Sequence, residues 1–249
     1  MLGVLSILSF FAQLLAQQTP LKPSFQVVSV KPNAHSGFSP TTLGMKGNRF
    51  SATGMPLLPL IMQVYNLRDF QIVGGPDWIN TDQWDFEAVA DDSAVLSLAD
   101  AEHPERPTPG SLMVQSLIEN RFQFKFHRER RELPVYELLV AKNGPKIKLS
   151  GNGLTRRVGR GEIEVRGYPF AYFAYLLARQ LDHALIDKTN LTKPYDIKLE
   201  WNAELRAEAE PSDRPSLFSA VEQLGLKLEP AKGLVEVLVI DSVQKPLEN

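Results

Sequence analysis

The sequence predicts an α+β fold of two tandem β-α-β-β-α-β-β units, each a small sheet packed with two helices. Three observations carry that prediction. Short β-branched runs alternate with helix-spaced apolar runs along the 249 residues. The order of these elements recurs, with a charged, proline-closed linker in the same slot of each half. Local matches mark the recurrence: Gly54-Met55-Pro56 against Gly167-Tyr168-Pro169, Trp84-Asp85-Phe86 against Tyr195-Asp196-Ile197, and Phe124-Lys125-Phe126 against Leu226-Lys227-Leu228. The expected extents are 25–150 for the first unit with its preceding strand and 160–245 for the second.

Residues 1–18 form an apolar, uncharged run that ends in small and polar residues near Ala16. It reads as a signal peptide, too short for a comfortable membrane span; a buried N-terminal helix or an uncleaved anchor is the alternative. In the first unit, 25–31 (FQVVSVK) is a strand stopped by Pro32 and Asn33, and 34–48 is a long Gly/Ser/Thr/Pro loop. RFSATGM at 49–55 is a strand. The following PLLPLIMQVYNL spaces Leu57, Leu60, Ile61 and Val64 as one helical face, with Pro56 suited to the first turn. Strands follow at 70–73 and 84–89 around the turn GGPDWI, then an acidic linker at 91–110 and a helix at 111–120. Phe122, Phe124 and Phe126 alternate with polar residues as a strand does, and VYELLVA at 135–141 supplies the return strand of a hairpin.

The second unit reads the same way. EIEVRG at 162–167 is a strand, 168–181 a helix with Pro169 where Pro56 stood, and 184–187 and 195–201 are strands. A charged linker at 202–215, a helix at 216–224 and a closing hairpin of 225–229 and 235–240 complete it.

Composition bounds the function. A formal net charge of -2 lacks the basic excess that phosphate-backbone recognition needs, so no nucleic acid is expected. Zero cysteines remove disulfides, thiolate nucleophiles and thiolate metal sites together. With 43% hydrophobic residues the chain can stabilise itself by packing.

The stretches FQVVSVKPN, YNLRDFQIVGGPDWIN, ENRFQFKFHRERRELPVYELLVAKNGPK, DKTNLTKPYDIKLEW and LGLKLEPAKGLVEVLVIDSVQKP together resemble an uncharacterised family of exported proteins abundant in soil bacteria, from about Phe25 to the C-terminus. Each half also resembles the short N-terminal domain of secretins and TonB-dependent receptors, best in FAYLLARQLDHALID and SLFSAVEQLGLKLEPAKGLVEVLVID. That second resemblance implies a periplasmic interaction module.

Chemistry-bearing motifs are sparse. His35, His103, His127 and His183 have no metal-binding spacing, and no nucleophile elbow, phosphate loop or dinucleotide fingerprint is present, so neither metal nor cofactor is expected. Ser36, Ser39 and Ser51 lie in or beside a loop with nothing to mark one as activated. Asp77, Asp82, Asp85 and Glu87 adjoin Trp78 and Trp84, as a glycosidase pair could, although Asp77 reads as a turn residue and Asp85 and Glu87 as solvated strand residues. The densest basic run is Lys125, His127, Arg128, Arg130 and Arg131, with Glu129 and Glu132 interleaved. It is the candidate binding site for an acidic partner; the alternative is a self-compensating strand end and hairpin loop. Arg156, Arg157 and Arg160 fall in a Gly-rich stretch that reads as an exposed linker between the halves. Tyr168, Phe170, Tyr172, Phe173 and Tyr175 could line a ligand groove, though such a stripe is more often core.

The leading expectation is therefore a non-catalytic interaction or sensor module, periplasmic or secreted, peripheral to a membrane at most, with an unidentified envelope protein as partner. A polymer-acting hydrolase using Asp and Glu, and a small-ligand binder in the cleft between the halves, are the alternatives.

Overall fold

Two glycines with matching backbone set the frame of each half. Gly54 has φ +63° and Gly167 has φ +77°, a conformation that only a residue without a Cβ adopts cheaply. Each precedes a proline by two positions and sits where a strand ladder slips: the pairing skips between Ala52 and Met55 in the first half and between Tyr195 and Ile197 in the second. The bulge turns the strand so that Pro56 and Pro169 become the N-caps of the following helices. In the first half Asp85 Oδ1 holds the bulge, accepting the Gly54 N–H at 2.9 Å and Asn33 Nδ2 at 2.7 Å.

The computed structural model describes residues 22–33, 43–91, 96–98, 100, 103, 106–151, 153–203 and 214–246. The expected leader, His35, Ser36 and Ser39 lie outside these. The fold is α+β. The first half comprises β1 (Val27–Pro32), β2 (Leu43–Lys46), β3 (Arg49–Pro56), α1 (Leu57–Val64), β4 (Ile72–Val73), α2 (Trp78–Thr81), β5 (Gln83–Val89), α3 (Pro109–Arg121) and β6 (Lys125–Val140). The second comprises β7 (Lys148–Leu149), β8 (Thr155–Gly159), β9 (Glu162–Pro169), α4 (Phe170–Ala178), β10 (Ala184–Asp187), β11 (Pro194–Glu200), α5 (Leu217–Gln223) and β12 (Leu226–Ser242). Among the described residues no helix is long and apolar enough to cross a membrane.

Each half carries one four-stranded sheet, in the order β1-β5-β3-β2 and β7-β11-β9-β8. A third sheet, β10-β6-β12-β4, draws two strands from each half. Here the expectation of two tandem units, each with its own sheet, is corrected. The runs expected to form closing hairpins are single strands of 16 and 17 residues, β6 and β12, which pair antiparallel with each other along their length. RERRE at 128–132 holds no Gly, Asn or Pro to supply a hairpin turn, and PAKG at 230–233, which holds both Pro and Gly, is kept extended by its full-length antiparallel ladder with β6. Pro134 and Pro230 lie outside the stretches that β10 and β4 pair with, on the open outer side of the ribbon where proline is tolerated. Three further expectations of loop are also corrected. β2 forms within 34–48, α2 starts inside the turn expected at 74–79, and β7 and β8 form between the halves.

The ribbon ties two cores together. The first packs Phe50, Leu57, Leu60, Ile61, Phe86, Ile118 and Phe122, all fully buried, with Leu238 of β12. The second packs Ile163, Phe170, Phe173, Leu177 and Val221 with Leu138 of β6. Each core thus receives a side chain from the other half's long strand. Burying one such side chain stabilises by roughly 1.5–3 kcal/mol, so neither half's core is complete without the other.

Candidate functional site

α1 ends on a residue in the left-handed region. Tyr65 is its C-cap, Asn66 follows with φ +53°, and the Leu67 N–H returns to Met62 O at 2.9 Å. This six-to-one closure is a Schellman motif with asparagine in the place glycine usually takes. It aims the Asn66 side chain across the middle of the molecule, where its Oδ1 accepts from Tyr175 Oη at 2.9 Å and from Arg179 Nη1 at 3.4 Å. Arg68 then donates to the carbonyls of Arg179, at 2.5 Å, and Leu181, at 3.2 Å, at the end of α4. The C-terminal ends of α1 and α4 are in this way locked to each other.

Beside that junction lies a cavity of about 730 Å³, walled by both halves. α1 and its cap contribute Gln63 to Leu67, α3 contributes Ser111 and Gln115, β6 Arg128, β8 Arg156, and α4 with its cap Tyr172, Tyr175, Leu176 and Arg179. Tyr172, Tyr175 and Arg179 share a helix face by their spacing, while Phe170 and Phe173 turn into the core at 0% exposure. The aromatic stripe is divided: the phenylalanines turn inward, Tyr175 lines the cavity, and Tyr172 lines it while packing into the core.

Polar contacts fix the walls. Gln115 Nε2 donates to Val64 O at 2.7 Å, which satisfies a carbonyl that the end of α1 leaves over. Tyr65 Oη donates to Glu119 Oε1 at 2.9 Å, and Lys22 Nζ sits 2.6 Å from the same oxygen. Burial pushes the Tyr65 hydroxyl well above the ordinary tyrosine pKa, the Glu119 charge and hydrogen bond act in the same direction, and Arg128 opposes them. Arg156 Nη1 donates to Tyr172 Oη at 3.0 Å, and Tyr172 stacks on Tyr168 with ring centroids 4.4 Å apart. The Arg179 guanidinium lies 5.9 Å from the Tyr175 ring centroid. Arg128 pairs with Glu236 on the neighbouring strand.

The basic run expected from the sequence is split by strand alternation. Of its five residues only Arg128 lines the cavity. Arg131 pairs with Glu129, and His127 Nδ1 sits 2.8 Å from Asp241 Oδ1 with its Nε2 3.8 Å from Glu129. Arg130 lies opposite Glu236 in the ladder, and Lys125 is exposed at the start of β6. The acidic cluster is likewise distributed: Asp85 holds the bulge, Glu87 pairs with Arg49 at 3.3 Å, and Asp82 with Lys245 at 2.5 Å. Ser111 Oγ donates to Thr108 O within the first turn of α3, and no histidine stands among the described lining residues. Among the described residues no three His, Asp or Glu side chains form a metal cluster. The walls offer hydrogen-bond donors and aromatic faces, which suit holding a ligand.

Sequence reasoning missed Arg156, placed in a linker, and Arg179. The missed signals are TRRVGRGEIEVRG, which is a hairpin closed by Gly161 at φ +74°, and the Tyr172, Tyr175, Arg179 spacing of three and four.

A family model described as a protein of unknown function (DUF3738) matches residues 59–243. The chain belongs to that family. No curated protein and no solved structure matches it. The DUF3738 match begins inside α1 and ends just past β12, so every residue that walls the cavity falls within it.

Proposed function

We propose that this DUF3738 protein is a non-catalytic binding or sensor module that holds a small ligand in the cleft between its halves and acts in the cell envelope or outside the cell. The cavity carries this reading. Its volume of about 730 Å³ falls in the range of small-molecule sites, and tyrosines and arginines from both halves converge on it. Export rests on the apolar run at 1–18 alone. The halves are read as copies of one ancestral unit that have exchanged their last strands, a reading supported by the matching order of the outer sheets and by the matched Gly54 and Gly167 bulges. A cleft on the seam between copies is a place where one ligand can touch both.

Docking of an acidic envelope partner on the basic run has less support, because Arg128 faces the cavity while Arg131 and His127 are compensated by Glu129 and Asp241. Paired-carboxylate hydrolysis has less again, since Asp82, Asp85 and Glu87 each hold another partner. A thermal-shift screen tests the binding reading. A ligand at a hundred times its Kd adds about 2.7 kcal/mol, which for a chain of this size raises Tm by about 5–10 °C. A broad metabolite panel in which no compound moves Tm would remove the cleft as a ligand site.

A further inference from the structure

We propose that the cleft selects an oxyanion, a small molecule carrying a carboxylate or phosphate group, through Arg128, Arg156 and Arg179. This rests on the cleft being the ligand site and adds the chemical class.

The first support is charge. The described lining holds four arginines, including Arg106, against one aspartate, Asp100, in a chain of formal net charge -2. Glu236 compensates Arg128 from outside the lining, so the positive charge of the walls rests first on Arg156 and Arg179.

The second support is the fate of the donors. Arg156 and Arg179 form no ion pair with a described carboxylate; their hydrogen bonds go to neutral oxygens, Tyr172 Oη and Asn66 Oδ1. A guanidinium has five N–H donors in a planar fork and stays charged at any physiological pH, so most of each fork remains for a ligand. The opposing field, from the carbonyls at the end of α1, is reduced: Gln115 takes Val64 O and Leu67 N–H takes Met62 O. The end of α4 is treated alike by Arg68. Tyr172 is only 5% exposed and fixes one end of the guanidinium of Arg156, whose strand is exposed, so the rest of that fork faces the open side of the cleft.

The third support is an internal control. Counting from the two capping prolines, Pro59 and Met62 stand in the first half where Tyr172 and Tyr175 stand in the second. From the ladders, Leu43 opposite Ala52 stands where Arg156 stands opposite Val165. From the parallel pairs of Leu238 with Ile72 and Tyr136 with Leu185, Pro230 stands where Arg128 does. The matching position is a cavity of about 260 Å³ at Pro59, Met62 and Gln63, where Arg68 is accompanied by Asp69; Arg179 reaches the edge of this cavity as well as the larger one. The tyrosines and Arg156 stand on one side only of a scaffold that offers two equivalent places.

Titration calorimetry and thermal shift on the whole chain, with pyrophosphate, citrate and uncharged chitobiose as separate arms, test the proposal. The expected result is binding of pyrophosphate or citrate, the better arm identifying phosphate or carboxylate, and none of chitobiose. Affinity falls by about tenfold or more in Arg156→Gln and in Arg179→Gln, and Arg156→Lys, which keeps charge but not the fork, recovers part of it. Arg131→Gln, away from the cavity, leaves affinity unchanged. Raising NaCl from 0.05 to 0.5 M weakens binding to the unaltered chain, a reading that needs no variant. Chitobiose binding, unaffected by the arginine substitutions, overturns the oxyanion class while the cleft stands. No binding in these arms overturns the oxyanion proposal, and a broader panel that also moves nothing overturns the cleft itself.

Discussion

The C-terminal ends of α1 and α4 occupy matching places in the two halves and are built for different work. α1 ends in a Schellman motif whose Asn66 is an acceptor, reached by Tyr175 and Arg179. α4 ends on the donors themselves, with Tyr172, Tyr175 and Arg179 along one face. The strands before them differ in the same sense, Leu43 on one side and Arg156 on the other. The frame that positions both helices, a glycine bulge followed by a capping proline, is common to them. Backbone geometry is held in both halves while the side chains at matched places differ, Pro59 and Met62 against Tyr172 and Tyr175.

The widest test of that comparison asks whether the halves fold together. Phe173 and Leu60 are matched positions on α4 and α1, each with 0% exposure. Phe173→Ala is expected to cost about 4 kcal/mol and Leu60→Ala about 3 kcal/mol. Because β6 and β12 pair along their length and each core takes a side chain from the other half, both variants should unfold in one transition in urea, monitored by tryptophan fluorescence and far-UV circular dichroism together. Two separated transitions in either variant would break the shared-sheet account.

A smaller effect separates the two bulges. At Gly54 an added Cβ meets nothing closer than Gln83 Oε1 at 3.5 Å, so Gly54→Ala bears only the left-handed backbone cost of about 1–2 kcal/mol. At Gly167 the Cβ would collide with the Gly153 carbonyl oxygen, adding overpacking of about 1–3 kcal/mol. Gly167→Ala should therefore lower the urea midpoint clearly more than Gly54→Ala. Equal shifts would mean that the segment before β8 gives way freely.

These glycines also show how far the sequence could be read. The α+β class, the places of α1, α3, α4 and α5, and the matched Gly-x-Pro signals are local properties of the chain and were legible. The shared sheet was not, because the choice between a hairpin and one long strand at 128–132 depends on a partner strand about a hundred residues away. The cavity was half legible. The tyrosine stripe on α4 was visible as a possible groove, but Arg156 was hidden in a stretch read as linker, and only strand alternation shows that Arg128 parts company with Arg131. A basic run in sequence becomes a basic patch only if its residues share a face.

Tyr65 gives the halves different behaviour at high pH, since Ala178 stands at its place in α4. Burial and Glu119 raise its pKa in the folded protein above the unfolded value of about 10. The folded form then keeps a proton that the unfolded form releases. The contribution is complete below pH ~10 and declines by about 1.4 kcal/mol per pH unit above it, until the folded group also titrates. The difference in unfolding free energy between the unaltered chain and Tyr65→Phe, followed from pH 8 to 11, should be flat and then fall. A difference that stays flat to pH 11 would place Tyr65 in a wetter setting than its hydrogen bond to Glu119 implies.

The least effect belongs to the outer face of the ribbon. Arg131 is 43% exposed and paired with Glu129, itself 38% exposed, so the pair is solvated and its net worth is small. Arg131→Ala should change stability by no more than about 0.5 kcal/mol in a urea titration. Arg128 lies three residues earlier on the same strand, but its alternation carries it to the cavity. Its pair with Glu236 is equally solvated, at 43% and 50% exposure, so Arg128→Ala should also change stability by no more than about 0.5 kcal/mol. The two variants should differ in ligand affinity instead, and if Arg131→Ala weakened binding as much as Arg128→Ala, the division of the basic run between two faces would fail, and with it the reason for placing recognition in the cleft.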